Sequence, residues 1–107
     1  MGLQNQWFDK IETGEKKFEL RLFDVKRQQI RIGDTIEFTA KDGRKLTKQV
    51  DSLSIYPTFR QLFMSMPHMT PSMLPGTKDY EEMLAIMEEF YPIEKQEING
   101  VVAIGLK

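Results

Sequence analysis

Between Gly14 and Asp34 the chain changes its rhythm of apolar and polar positions twice. Phe18, Leu20 and Leu22 alternate with Lys17, Glu19 and Arg21, the period-two pattern of a half-buried strand running from Lys17 to Phe23. The polar row carries plus, minus, plus at alternate positions, spaced about 7 Å apart. A solvated face on which Glu19 neutralises its neighbours is the plainer reading of that row, because exposed ion pairs are common. A binding site held on a rigid strand is the other.

Upstream, Trp7, Phe8 and Ile11 form one helical stripe, with Asn5 as candidate cap and Gly14 as the left-handed residue that ends it. Downstream, Asp24 to Arg31 is polar and basic, a bend or extended loop. Ile32-Gly33-Asp34 turns into a second strand, Thr35 to Ala40. The Lys41-Asp42-Gly43 connection reads as a hairpin. Only a three-residue loop ending on a left-handed Gly43 sets Phe38 opposite Leu46 and keeps Val50 on the same face. The apolar phase then shifts from Leu46 and Val50 to Leu53 and Ile55, which predicts a bulge near Asp51-Ser52.

Thr58-Phe59-Arg60-Gln61 is a capping-box pattern that opens a helix carrying Phe59, Leu62, Phe63 and Met66. Pro67 to Gly76 has no periodicity and reads as a long loop rich in methionine. Asp79 to Tyr91 is the clearest helix, with Tyr80, Met83, Leu84, Met87, Phe90 and Tyr91 on one stripe and Pro92 as its stop. Val101 to Leu106 is apolar in both phases, a strand covered on both faces. The order of elements predicts a small α+β domain, a partly closed barrel.

Composition narrows the chemistry. At 107 residues, 40% hydrophobic and 29% charged, the chain reads as one globular domain over residues 1–107. It has no cysteine and one histidine, His68, so neither a thiolate site nor a zinc site is expected, and no cofactor. No run approaches roughly 18 apolar residues and no signal-peptide core is present, which predicts a cytoplasmic protein without membrane attachment. Net charge is −1, but the signs are segregated: residues 1–60 carry +3 and residues 61–107 carry −4. Lys16, Lys17, Arg21, Lys26, Arg27 and Arg31 form the basic cluster, the kind of patch that meets a polyanion locally.

Gly14-x-Lys16-x-x-Glu19-x-Arg21, Asp24-x-Lys26-Arg27 and Ile32-Gly33-Asp34-x-Ile36-x-Phe38 closely resemble the ASCH-domain family, relatives of the PUA fold. Tyr56-Pro57-Thr58-Phe59, Tyr91-Pro92 and Glu97-Ile98-Asn99-Gly100 followed by Val101 to Ile104 extend the resemblance over nearly the whole chain. It implies a PUA-like β-barrel of five or six mixed strands with two to three flanking helices and a cleft floored by the Gly14–Arg21 motif. It also implies RNA as a partner and, in some members, hydrolysis of the amide of N(4)-acetylcytidine by a lysine, a threonine and a glutamate. By position the lysine is Lys16, and Glu19 stands where the threonine would be. The family's glutamate falls in the segment holding Thr77, Lys78, Asp79 and Glu81.

Three functions follow as expectations. The first is recognition of single-stranded or structured RNA, or of a nucleoside or nucleotide. Lys16, Glu19 and Arg21 would form the cleft; Lys16, Lys17, Lys26, Arg27 and Arg31 would meet phosphates, Arg21 would hydrogen-bond or stack on a base, and Tyr56 or Phe23 would offer a stacking face. The second is amide hydrolysis with Lys16 and Glu19 as the catalytic pair, which requires Lys16 to be partly neutral. The third is a protein contact through Met64, Met66, Met69 and Met73. Phe59, Phe63 and Phe90 are read as core, and His68 has no role.

Overall fold

The two-sided closing strand dictates the architecture, because an apolar strand needs cover on both faces. The protein is described over residues 1–107 by a computed structural model. In chain order its elements are β1 (Gly2–Leu3), α1 (Asn5–Thr13), β2 (Phe18–Leu22), β3 (Thr35–Ala40), β4 (Lys45–Tyr56), α2 (Phe59–Ser65), α3 (Thr70–Met73), α4 (Tyr80–Phe90), α5 (Ile93–Asn99) and β5 (Val101–Leu106), with one 3-10 turn at Arg27–Gln29. The strands form one sheet in the order β1-β3-β4-β5-β2, curled into a half-barrel. β1 runs parallel to β3 and every other pair is antiparallel. The alternate residues of β5 part company: Val101 and Ala103 join a core under α2, α3 and α4, whereas Val102 and Ile104 join a second core with Phe8 and Ile11 of α1.

The hairpin register is the one that hydrophobic parity requires. Phe38 lies opposite Leu46, and Gly43 adopts φ 95° at the end of the loop. The bulge falls where the apolar phase shifts, between Val50 and Ser52. It bends the long β4 so that one strand serves both halves of the sheet, pairing first with β3 and then with β5. Gly14, at φ 87°, closes α1 and redirects the chain into the Lys16 segment.

Four features differ from the sequence reading. Five helical elements flank the sheet instead of two or three, because α3 is a single turn and α5 is a short polar helix hidden behind Pro92. The segment 67–76 is not an open loop: α3 interrupts it, and Met73 and Leu74 are buried in the core. The edge strand β1 was not expected, since two residues carry no periodicity. Asn5 does not cap α1; its Oδ1 accepts a hydrogen bond from the Asp42 amide across the fold, at 3.2 Å. No helix is long and apolar enough to cross a membrane.

Candidate functional site

β1 and β2 are the two edges of the half-barrel, and the seam between them is spanned by a side chain. Arg21 Nη2, on β2, donates to the Gly2 carbonyl of β1 at 2.9 Å. Around that bridge opens a cavity of about 530 Å³. Its floor and sides come from β1, β2 and β3, its walls from α1 and α4, and its rim from the β3–β4 hairpin.

Lys16, Glu19 and Arg21 all line the cavity, and the first two are buried, at 3% and 5% exposure. Of the alternating row, Lys17 is solvated, but Glu19 is buried and Arg21 half-buried in the cavity, so the solvated-face reading does not hold for those two. Lys16 precedes β2 and its ammonium folds inward, donating to the Met73 carbonyl of α3 and lying 5.6 Å from the Trp7 ring centre. Glu19 turns back along its own strand. Its Oε1 accepts from the Leu20 amide at 3.2 Å and lies 3.7 Å from Lys16 Nζ. Its Oε2 accepts twice from Arg21, from Nε at 3.1 Å and Nη2 at 2.9 Å.

One buried carboxylate thus holds two cations, and the burial acts on each differently. Desolvation pushes the Lys16 pKa below the usual lysine value, and the nearby Glu19 only partly opposes it. Burial also works against the Arg21 charge, but Glu19 and the Tyr91 phenol beside it outweigh that and hold its pKa above the usual value. Burial raises the Tyr91 pKa, against the pull of Arg21.

The walls are aromatic and apolar: Trp7 from α1, Phe90 and Tyr91 from the end of α4, with Leu3, Leu20, Ala40 and Met87. Phe90 is not core as the helical stripe suggested; it is 46% exposed at the cleft. Trp7, Tyr91 and the hairpin residue Lys41 were absent from the expected site. Helical spacing does not distinguish a residue packed in a core from one lining a cleft, so Trp7 and Tyr91 carried no separate signal. Lys41 reaches the rim only through the hairpin turn.

The remaining candidates lie outside the cavity. Lys17, Lys26 and Arg31 are exposed, and Arg27 pairs with Asp24 at 3.2 Å. Tyr56 and Phe23 are half-buried against the two cores. Thr77, Lys78 and Asp79 line a separate hollow with Glu15, and Glu81 lines neither. Asp79 instead caps α4, accepting from the Glu82 amide at 2.9 Å. No acid of the 77–82 segment joins Lys16 in the cleft. The methionine surface is also reduced, to exposed Met64 and Met69, because Met73 is fully buried and Met66 packs on the core. No group of three or more His, Cys, Asp or Glu side chains is placed to hold a metal ion.

The family model of the ASCH domain matches residues 1–107. No curated protein matches the chain. Among solved structures, the crystal structure of hypothetical protein PH0355 is 34% identical with a TM-score of 0.87, the match covering 100% of this chain and 94% of that one. The solution NMR structure of protein PF0455 from Pyrococcus furiosus is 36% identical with a TM-score of 0.77, covering 100% and 93%.

Proposed function

The chain belongs to the ASCH domain family, and from that footing we propose that its cleft binds one unstacked nucleobase, carried by a nucleoside or nucleotide or by single-stranded or looped RNA. The observation that carries this reading is a charged row sunk beneath an aromatic wall, in a cavity of about 530 Å³. Small-molecule sites typically combine apolar walls with a few fixed polar groups in roughly 300–1,000 Å³. A planar base stacks on Trp7, Phe90 or Tyr91, as unpaired bases do on aromatic side chains. Its polar edge meets the donors that the internal network leaves free: Arg21 Nη1 and the remaining protons of Lys16. Glu19 holds both cations in place and keeps one lone pair of Oε1 for a donor on the base. When the ligand is RNA, Lys17, Lys26, Arg27 and Arg31 meet phosphates beyond the cleft, and Tyr56 offers no face inside it.

Hydrolysis of N(4)-acetylcytidine in the same cleft is the second reading. It is favoured by the burial of Lys16, which drives the ammonium toward the neutral amine that acts as base or nucleophile. Glu19 is then the only acid within reach to activate water.

A proton–nitrogen NMR titration with cytidine, a short single-stranded RNA and N(4)-acetylcytidine separates these readings, with free acetate followed in the same tube. Shifts centred on Trp7, Lys16, Arg21 and Tyr91 without acetate are the expected result. Acetate release that disappears in folded Lys16→Ala makes the protein an enzyme. Unperturbed cleft signals with every ligand overturn the binding reading.

A further inference from the structure

We propose that Lys41 and Trp7 form a phosphate-and-base subsite at the mouth of the cleft, so that the preferred ligand carries a phosphate. The proposal rests on the base-binding reading above and specifies its ligand class. Three cations line the cleft, Lys16, Arg21 and Lys41, against a single carboxylate, Glu19. Glu19 lies 3.7 Å from Lys16 and 2.9 Å from Arg21, so its charge is already committed. Lys41 is exposed and no carboxylate lies within ion-pair distance of it. Its chain neighbour Asp42 is turned away to Arg44, at 2.9 Å. The lining therefore has excess positive charge, and the uncommitted part sits at the solvent edge.

That edge is also fixed in position. The Asp42 amide donates to Asn5 Oδ1 at 3.2 Å, and Asn5 opens the helix that carries Trp7 two residues later. One hydrogen bond thus ties the hairpin turn bearing Lys41 to the helix bearing the indole. A phosphate on Lys41 stays partly hydrated while the base enters against Trp7 toward Arg21 and Lys16. The basic cluster at 26–31 lies outside this path, which leaves Lys41 as the free cation within the cleft.

Trp7 is the only tryptophan, so its emission reports occupancy without a label. The whole protein is titrated with cytidine, adenosine, their 5′- and 3′-monophosphates and a dinucleoside monophosphate, at low and high salt. At least one phosphorylated ligand is expected to bind about fivefold or more tighter than its nucleoside, the scale of one solvent-screened charge contact. The gain shrinks with salt, and Lys41→Gln brings the phosphorylated ligand to the level of the nucleoside. Preference for a monophosphate assigns a free mononucleotide; equal or tighter binding of the dinucleoside monophosphate assigns the phosphate of an RNA chain. Equal affinity for nucleosides and all phosphorylated forms overturns the proposal, as does a gain that persists in Lys41→Gln. If no ligand perturbs Trp7, the base-binding reading fails and the subsite fails with it.

Discussion

Glu19 determines what each neighbouring substitution does. Arg21→Ala leaves a buried carboxylate without the two bonds to Oε2 and removes the bridge to Gly2. Breaking a largely buried ion pair from one side is expected to destabilise the fold by about 2–3 kcal/mol, read from urea unfolding. Loss of ligand binding in that variant must therefore be measured on the folded fraction. Lys16 has the opposite signature. Its folded pKa is lowered from 10.5, so between the two values the unfolded chain binds more protons than the folded one. Stability from this group then rises as pH climbs from the lowered value toward 10.5, and levels off above it. Lys16→Met keeps the volume and removes the titration. The unfolding midpoint of wild type should rise relative to that of the variant as pH climbs toward 10.5; a difference independent of pH refutes the burial cost.

At the level of elements, the cleft wall depends on a residue far from the ligand. Gln96 of α5 is 1% exposed; its Oε1 accepts from the Phe59 amide that begins α2, at 3.0 Å, and its Nε2 donates to the Tyr91 carbonyl at the end of α4, at 2.8 Å. Gln96→Leu preserves bulk but orphans both backbone groups, so a loss of about 2–3 kcal/mol is expected from denaturant unfolding, with displaced NMR signals at Tyr91. The elements legible in the sequence are those that rest on periodicity and parity: Thr35–Ala40, the Phe38–Leu46 register, the β4 bulge and the two-faced Val101–Leu106 strand. The site was half legible. Lys16, Glu19 and Arg21 stand out as a motif, but alternation placed Glu19 and Arg21 on a polar face and gave no sign that Lys16 folds under Trp7. α5 was missed for a similar reason: its one buried residue is a glutamine, which no hydrophobic pattern marks.

Over the whole molecule, the decisive feature is a sheet that stops short of closing. β1 is a two-residue edge strand, and the Arg21–Gly2 hydrogen bond joins it to β2 across the seam, so β1 is expected to exchange its amide protons well before β4 and β5. A ligand seated between β1, β2, α1 and α4 joins these elements. At one hundred times its Kd it should add about 2.7 kcal/mol to stability, with the gain in exchange protection concentrated on β1 and β2. Protection confined to exposed basic residues instead would locate binding outside the cleft. The open seam also leaves β2 without a strand partner on one side, and unpaired edges are templates on which a second chain can add a strand and start an aggregate. The Glu19 carboxylate, bonded to the Leu20 amide, occupies one of those pairing positions and sets a charge beside it. Glu19→Ala should therefore self-associate at concentrations where the wild type scatters no light, because the carboxylate that arranges the cleft also serves as the sheet's guard against its own copies.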